Sequence, residues 1–328
     1  MMSPALVWVS GLGRFLAFLR VSNYPDELYD NFVWVQEFSP ELRPIAGSGS
    51  LLGLPTHSAS LMAPGPEDPR ALLFRGGVFV LFNLQFRNND RRQVLYDHSA
   101  RRLVTLTVAG MALQRAEKNW MPFVHEDALH FVYQLDPLVV LRCDERSGAC
   151  DCVAPSPCRG GTEAFNTRRA LARGGTPLAH VADGLFFGLV HSTFTLVADH
   201  AIRGHLVLFS TRQMGVVALS SAVPLPEALT ACYADTVPWD VQFPSSVTLL
   251  GNTSSALLLL GVHVRDAMSS LLLLDLQEPL DKALRRVDAE SCAERAQGGG
   301  GGGGACIRWR VLGDGAVDTT LQHALQVR

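Results

Sequence analysis

Five segments of the chain share one pattern, and this repeat constrains the possible folds more than any other feature. Each segment starts near a proline, continues through an apolar run, turns at Gly, Asp or Asn, becomes apolar again and ends at a polar residue. The segments are residues 4–20, 69–83, 122–134, 177–191 and 244–263, and they begin roughly 50 to 70 residues apart. Two β-rich runs joined by turn-forming residues predict a β-hairpin in every segment.

The residues between the hairpins leave room for two more strands in each repeat, as in residues 92–96 and 103–108. Four strands in each of five repeats predict an all-β protein, a five-bladed β-propeller formed by one domain, 1–328. The predicted blades are 1–60, 61–112, 113–168, 169–235 and 236–328. A run of glycines at 298–304 cannot bury apolar area, so we expect a disordered insertion in the last blade.

Charge and hydropathy exclude several classes of partner. The net charge is −3, and the 28 Lys and Arg residues are spread along the chain, which argues against nucleic acid or an anionic membrane surface. Every apolar run is far shorter than the ~20 residues of a membrane span, so no transmembrane helix is predicted. A soluble protein of the cytoplasm or of the secretory-pathway lumen is expected, and its oligomeric state is left open.

The apolar N-terminal segment, residues 1–18, has two interpretations. It lacks the basic n-region of a signal peptide, and Gly11, Gly13 and Arg14 interrupt it, so two strands are predicted there. The chain also begins within the first predicted hairpin. Upstream residues that complete the first blade are therefore an open alternative.

The cysteines do not predict a metal site. Their number, seven, is odd, and Cys143, Cys150, Cys152 and Cys158 cluster without paired C-x-x-C spacing or neighbouring histidines. Unpaired thiols or one loop disulfide are the alternatives for this cluster.

Propeller geometry brings the residues that precede and follow each hairpin to one end of the central channel. The substrate-binding candidates placed there are Arg20, Glu67, Arg70, Asn83, Lys118, Asn119, Trp120, Thr176, Asp240, Gln242 and His263. Carboxylates accept hydrogen bonds from sugar hydroxyls and tryptophan offers a flat apolar face, so this set predicts a carbohydrate ligand. The alternatives are an exposed ion-paired turn at residues 67–70, a packing role for Trp120, and satisfied core histidines at His191 and His263.

An anionic co-substrate is a second expectation for this end of the channel. Arg70, Lys118 and His191 are the candidate phosphate-binding residues, with Arg20 beside them. Inorganic phosphate or a nucleotide sugar is the possible co-substrate, and no other cofactor is predicted.

The tetrapeptide Glu67-Asp68-Pro69-Arg70 and the hairpin after it resemble the signature of the β-mannoside phosphorylase and hydrolase family of five-bladed propellers. Arg20, the Gly-Gly-Thr-Pro segment 174–177 and His191 are similar to that family as well. Residues 117–137 resemble the third blade of its eukaryotic β-mannosyltransferase relatives. The resemblance extends over residues 4–275 as short matching stretches separated by unmatched sequence.

This resemblance implies that Asp68, Arg70, Lys118 and His191 hold the sugar and, in a phosphorylase, inorganic phosphate. It also exposes a departure, because Asn83 stands where phosphorylases carry the general-acid Asp. Asp68 and Asp90 are the catalytic candidates that remain, with Asp240 as a further carboxylate. The alternative is that the protein has no general acid.

The function predicted on these grounds is that of a carbohydrate-active enzyme acting on β-linked hexosides, chiefly β-mannosides, by glycosyl transfer or phosphorolysis in a central pocket. A glycan-binding propeller without catalysis and a glycoside hydrolase are the alternatives.

Overall fold

The structure is a computed structural model that describes eleven ranges of the chain. These are residues 2–22, 30–54, 65–86, 90–135, 137–154, 171–182, 184–196, 199–222, 242–250, 257–264 and 268–275. They form strands β1 to β21 in five sheets and one 3-10 helix, Ser10–Leu12, and no α-helix occurs among them. The glycine run 298–304 lies outside these ranges.

Sheets 1 and 2 are four-stranded antiparallel meanders, in which each strand pairs with the next along the chain. Sheet 1 contains β1 (Met2–Val9), β2 (Arg14–Ser22), β3 (Asn31–Phe38) and β4 (Ser50–Leu51). Sheet 2 contains β5 (Pro66–Phe74), β6 (Gly77–Gln85), β7 (Arg91–Asp97) and β8 (Arg102–Thr105). The N-terminal segment thus lies in two strands, as predicted.

Sheets 3 and 4 have five strands each. Sheet 3 contains β9 (Thr107–Val108), β10 (Met121–His125), β11 (Ala128–Leu135), β12 (Leu138–Cys143) and β13 (Ala149–Ala154), with β9 parallel to β13. Sheet 4 contains β14 (Leu171–Gly174), β15 (Ala179–Ala182), β16 (Leu185–Leu196), β17 (Asp199–Ser210) and β18 (Gly215–Ala222). Both β14 and β15 pair with β16, since the chain leaves the sheet between them at residues 175–178.

Sheet 5 has three described strands, β19 (Gln242–Leu250), β20 (Leu257–Val264) and β21 (Met268–Asp275). The fold is therefore an all-β, propeller-like arrangement of packed antiparallel sheets, as the repeat predicts. Four of the sheets have the four or more strands of a complete blade. The predicted count of five blades is not confirmed within the described ranges.

Apolar side chains of neighbouring sheets pack together and form a core divided between the sheets. One cluster joins sheets 1 and 2 and includes Val7, Phe18, Val80 and Phe82. The next joins sheets 2 and 3, including Leu81, Trp120 and Phe131, and a third joins sheets 3 and 4 through Phe123, Phe186 and Phe209. Both faces of the middle sheets are consequently covered, which explains the continuous apolar runs in their strands.

Hydroxyl side chains join the first sheet to the last described one. The Leu6 amide donates to Ser246 Oγ at 2.8 Å, and Thr248 Oγ1 donates to the Leu6 carbonyl at 3.0 Å. Ser245 Oγ donates to the Pro4 carbonyl at 2.8 Å. Sheets 1 and 5 are therefore neighbours, which brings the two ends of the described chain together.

Ser246→Ala is expected to lower the free energy of unfolding by about 1–3 kcal/mol, because it leaves the buried Leu6 amide without its acceptor. Urea unfolding of the purified chain measures the change. Ser99→Ala, on an exposed turn, is the control and should stay within about 0.5 kcal/mol of wild type. Equal stability of the two variants would contradict a role for Ser246 in joining the sheets.

A disulfide joins Cys143 to Cys150 and links the adjacent strands β12 and β13. Disulfide bonding, one of the two alternatives for the cysteine cluster, is thus present, but Cys152 is disulfide-bonded as well, so the expected number of one is too low. Cys158 lies outside the described residues. In the part of the chain that the structure describes, no helix has the length and apolar composition needed to cross a membrane.

Candidate functional site

Glu67, near the start of β5, is the centre of a cluster of charged side chains. Its Oε1 lies 3.0 Å from Arg20 Nη2, and its Oε2 lies 2.9 Å from Lys118 Nζ and 3.2 Å from Arg91 Nη1. The Glu67 side chain is only 6% exposed. One buried carboxylate therefore holds three cations, contributed by sheets 1 and 2 and by the segment before β10.

Asp68 follows Glu67 in the left-handed region, with φ 54°, at a β-bulge that separates Glu67 from Arg70. Pro69 lacks an amide donor, so the ladder is interrupted at this point. Asp68 Oδ1 accepts a 3.4 Å hydrogen bond from Ser3 Oγ and lies 3.6 Å from Arg20 Nη1. The bulge thus places two consecutive carboxylates against the same arginine.

Asn83 lies opposite Glu67 in the β5–β6 register, and it is fully buried. Its Nδ2 donates to the Glu67 carbonyl at 3.2 Å and to Asp68 Oδ2 at 3.3 Å. Its Oδ1 accepts a 2.7 Å hydrogen bond from Arg91 Nη1. Both ends of the amide are engaged, and an amide has no acidic proton, so Asn83 positions its neighbours and cannot replace a general acid.

Arg70 is fully buried and connects sheet 2 to the segment that follows β14. Its Nε donates to the Gly175 carbonyl, and its Nη1 donates to the Asp68 carbonyl at 3.0 Å. Its Nη2 has no hydrogen-bond partner among the described residues. Burial lowers the pKa of Arg70 to about 10, so the guanidinium remains charged at neutral pH.

His191 in β16 is 2% exposed, and its ring centroid lies 4.8 Å from that of Phe243. The Arg70 guanidinium lies 5.8 Å from the centroid of the same ring. Burial, followed by the positive charges of Arg70 and Arg173, lowers the pKa of His191 to about 3. The His191 imidazole is therefore neutral at physiological pH, so it adds no positive charge to a phosphate site, and its predicted contact with phosphate stays a prediction.

The lowered pKa of His191 predicts a loss of stability in mild acid. The unfolded chain binds a proton below about pH 6.5 while the folded protein does not until about pH 3, so stability is full above pH 6.5 and decreases as pH falls. His191 contributes about 1.4 kcal/mol per pH unit to this slope. Urea unfolding between pH 7.5 and about 4.5 measures it. His191→Gln should reduce the slope by one proton, whereas the exposed control His180→Gln should keep it.

Two predicted sugar contacts are corrected by burial. Trp120 is 1% exposed, packs edge-on against Phe131 and Tyr133, and donates from Nε1 to Glu117 Oε2 at 3.1 Å. Its ring is part of the core and offers no face to a sugar. Thr176 is fully buried, and its Oγ1 donates to the Pro177 carbonyl and accepts from the Leu189 amide. These two backbone groups thus have hydrogen-bond partners where the pairing with β16 is interrupted between β14 and β15.

The remaining predicted residues lie at different distances from the cluster. Asp90 Oδ2 pairs with Arg92 Nη2 at 2.6 Å, and its backbone bonds to Phe86, about 10 Å along β6 from Asn83. Asn119 adopts φ 66° beside Lys118. Asp240 lies outside the described residues, and of Gln242 and His263 only the backbone positions in β19 and β20 are described.

Two members of the cluster were missed by sequence reasoning. Arg91, at the start of β7, contacts both Glu67 and Asn83, and Asn31 Oδ1 accepts a 2.7 Å hydrogen bond from Arg20 Nε. Both residues begin the third strand of a sheet, beyond the hairpin whose pattern is recognisable. Arg91 pairs with Gln85 across β6 and β7, and knowledge of this register would have placed Arg91 near Asn83. The register depends on the turn between β6 and β7, whose length the repeat does not specify.

The described part of the cluster carries an excess of positive charge. Arg20, Arg70, Arg91 and Lys118 supply four cations against the two carboxylates of Glu67 and Asp68, a difference of two charges. Lys118 is the most accessible, with 39% of its side chain exposed. Such a set can hold an anionic group and accept hydroxyl donors at adjacent positions.

No family model matches the chain. Over 130 residues it is 31% identical to Beta-mannosyltransferase 2 of Komagataella phaffii, a match that covers 37% of this chain and 20% of that protein. Over 171 residues it is 27% identical to Beta-mannosyltransferase 3 of Candida albicans, covering 44% of this chain and 30% of the relative. The chain thus spans between 20% and 30% of the length of these curated relatives.

Two solved structures support the fold over most of the chain. The β-1,2-mannobiose phosphorylase of Listeria innocua, in complex with β-1,2-mannobiose, superposes with a TM-score of 0.58 at 10% identity, covering 88% of this chain and 92% of that one. A member of the GH130 family of mannoside phosphorylases and glycoside hydrolases that target β-1,2-mannosidic linkages in Candida mannan has a TM-score of 0.57 at 9% identity, covering 84% of each chain. At such identities the likeness shows the propeller-like fold alone.

Proposed function

We propose that the chain belongs to a carbohydrate-active enzyme that acts on β-linked mannosides by glycosyl transfer or phosphorolysis. The observation that carries this proposal is the buried cluster of four cations around Glu67 and Asp68, in which Arg70 has a guanidinium nitrogen without a described partner. The excess charge suits the phosphate of inorganic phosphate or of a nucleotide sugar. The similarity to β-mannosyltransferases supports the choice of sugar.

Asp68 is the proposed catalytic carboxylate. It lies in the cluster, between Arg20 and the Asn83 amide, whereas Asp90 is paired with Arg92 further along the sheet. Arg20, Arg70 and Lys118 are proposed to hold the anionic co-substrate. The Asp68 carboxylate accepts hydrogen bonds from sugar hydroxyls, and its negative charge is proposed to stabilise the positive charge that develops at the anomeric carbon.

We further propose that sheets 1 to 5 are the five blades of one propeller. The hydrogen bonds between β1 and β19 support this, because they join the first and last sheets of the series. The disulfide between Cys143 and Cys150 supports an oxidising compartment such as the secretory-pathway lumen.

A second candidate function is glycan binding without catalysis. The observation that favours it is Asn83, whose amide occupies the position of the expected acid and is engaged at both ends. A protein of this kind would retain saccharide affinity without forming a product.

The proposal is tested by incubating the purified chain with β-mannooligosaccharides, once with inorganic phosphate and once with GDP-mannose. Release of mannose 1-phosphate establishes phosphorolysis, and elongation that needs GDP-mannose establishes transfer. Saccharide binding by calorimetry without either product would favour the binding protein instead.

Asp68→Asn is expected to abolish whichever turnover is found, by about 10³-fold or more, because it removes the charge that faces Arg20. Asp151→Asn, at an exposed position of β13, is the matched control and should retain wild-type turnover. Wild-type turnover in a folded Asp68→Asn variant would remove Asp68 from the mechanism.

A further inference from the structure

A cavity lies at the end of sheets 2 and 3 opposite the charged cluster. Its volume is about 520 Å³, and it is lined by the turns after β5, β7 and β12. The lining includes Phe74, Arg75, Asp97, Arg102, Glu145 and Arg146. Phe74 lies seven residues along β5 from Glu67, about 20 Å away, so this far-end cavity is separate from the cluster.

The turn formed by residues 144–148 lines this cavity and is held rigid. Asp144 Oδ1 accepts hydrogen bonds from the Ser147 amide at 2.7 Å and from the Arg146 amide at 3.1 Å. The Cys143–Cys150 disulfide joins the two strands that flank the turn. Gly148, with φ 75°, approaches β8 so closely that a Cβ at this position would lie 2.3 Å from the Thr105 carbonyl oxygen. The backbone of this turn is therefore preorganised, which lowers the entropic cost of binding.

Arginines and carboxylates alternate around the far-end cavity. Arg75 Nη1 lies 3.1 Å from Glu145 Oε1, and its guanidinium lies 4.8 Å from the Phe74 ring centroid. Arg102 Nη2 lies 3.9 Å from Asp97 Oδ2, and Arg102 Nε is buried with no hydrogen-bond partner in the described part of the chain. Donors and acceptors of both kinds thus face one space of ligand size.

This mixture of groups selects among ligand classes. Three arginines face two carboxylates, but Arg75 and Arg102 are paired with Glu145 and Asp97, so an anion would have to compete with ion pairs that are already formed. An apolar ligand would strip water from five charged side chains without replacing their hydrogen bonds. A polyhydroxylated ring offers adjacent donors and acceptors, which Arg102 and the two carboxylates can match together.

We propose that the far-end cavity is a second saccharide-binding site, which holds an uncharged segment of oligosaccharide away from the charged cluster. Saccharide binding in the far-end cavity does not require catalysis at the charged cluster, so this proposal can be tested independently of the proposed enzymatic function. Its role is to retain a glycan chain on the protein while another part of that glycan lies at the charged cluster.

Hydrogen–deuterium exchange with and without a β-1,2-linked mannotetraose tests the site on the full chain. We expect slower exchange in the turns 97–101 and 144–148 when the saccharide is present. Ala100→Trp, at an exposed position lining the cavity, should remove that protection and weaken its affinity by about tenfold.

The matched control is Leu12→Trp, which places the same bulk on the exposed hairpin turn of sheet 1 and should leave protection unchanged. Absence of protection in the wild-type turns, or equal protection in the two tryptophan variants, would overturn the proposal. Turnover of short mannosides, measured in parallel, should be the same in both variants, so failure of the second site and failure of the proposed activity are distinguishable.

Discussion

Gly174→Ala is expected to lower the free energy of unfolding by about 3 kcal/mol and to disturb the contact between sheets 3 and 4. A Cβ at this position would lie 1.9 Å from the Asn119 carbonyl oxygen and 2.7 Å from the Met121 side chain. The first clash is with backbone, which cannot turn aside as a flexible side chain can, so the strand β14 itself must move.

The consequence reaches the charged cluster because Asn119 adjoins Lys118, and Arg70 bonds to Gly175. Turnover or saccharide affinity should therefore decrease together with stability. Thermal and urea unfolding measure the first effect, and calorimetry the second. Gly53→Ala is the control, since a Cβ there meets nothing within 4 Å. A Gly174→Ala variant as stable as Gly53→Ala would show that β14 does not approach sheet 3 as described.

Glu67→Gln is expected to destabilise the protein by about 3–5 kcal/mol, because it leaves three buried or half-buried cations without their shared counter-charge. The amide keeps the shape of the carboxylate, so the loss reports on charge and not on a cavity. Urea unfolding measures the effect, and activity or saccharide binding should be lost in the same variant.

Glu37→Gln is the matched control for the Glu67 variant. Among the described residues, Glu37 forms one ion pair, with Arg14, and its side chain is more exposed, so its replacement should change stability by less than about 1 kcal/mol. Adding Lys118→Met to Glu67→Gln should recover part of the lost stability, since it removes one of the uncompensated cations. No recovery in the double variant would mean that Lys118 and Glu67 are not coupled.

The two ends of sheet 2 carry different chemistry. At one end, the cluster has four cations against two carboxylates, and under the proposed function Arg20, Arg70 and Lys118 bind an anion there. At the other, three arginines face two carboxylates, and the proposed ligand is an uncharged polyol. About 20 Å along β5 separates the two ends.

Much of the local structure follows from the sequence. The hairpins β1–β2, β5–β6 and β10–β11 occur where alternating apolar runs and turn residues predict them. The tetrapeptide 67–70 also yields two carboxylates and an arginine at a bulge, since Pro69 interrupts the ladder. These features depend on residues close in the chain, where backbone sterics and propensity act.

What only the tertiary structure decided is which side chains meet and in which state. The register of β6 and β7 places Arg91 beside Glu67. Trp120 lies in the core, where its indole nitrogen donates a hydrogen bond to Glu117. His191 loses its charge because burial and the neighbouring Arg70 disfavour the imidazolium. Register, burial and the field of distant charges arise between segments far apart in the chain, so no local pattern contains them.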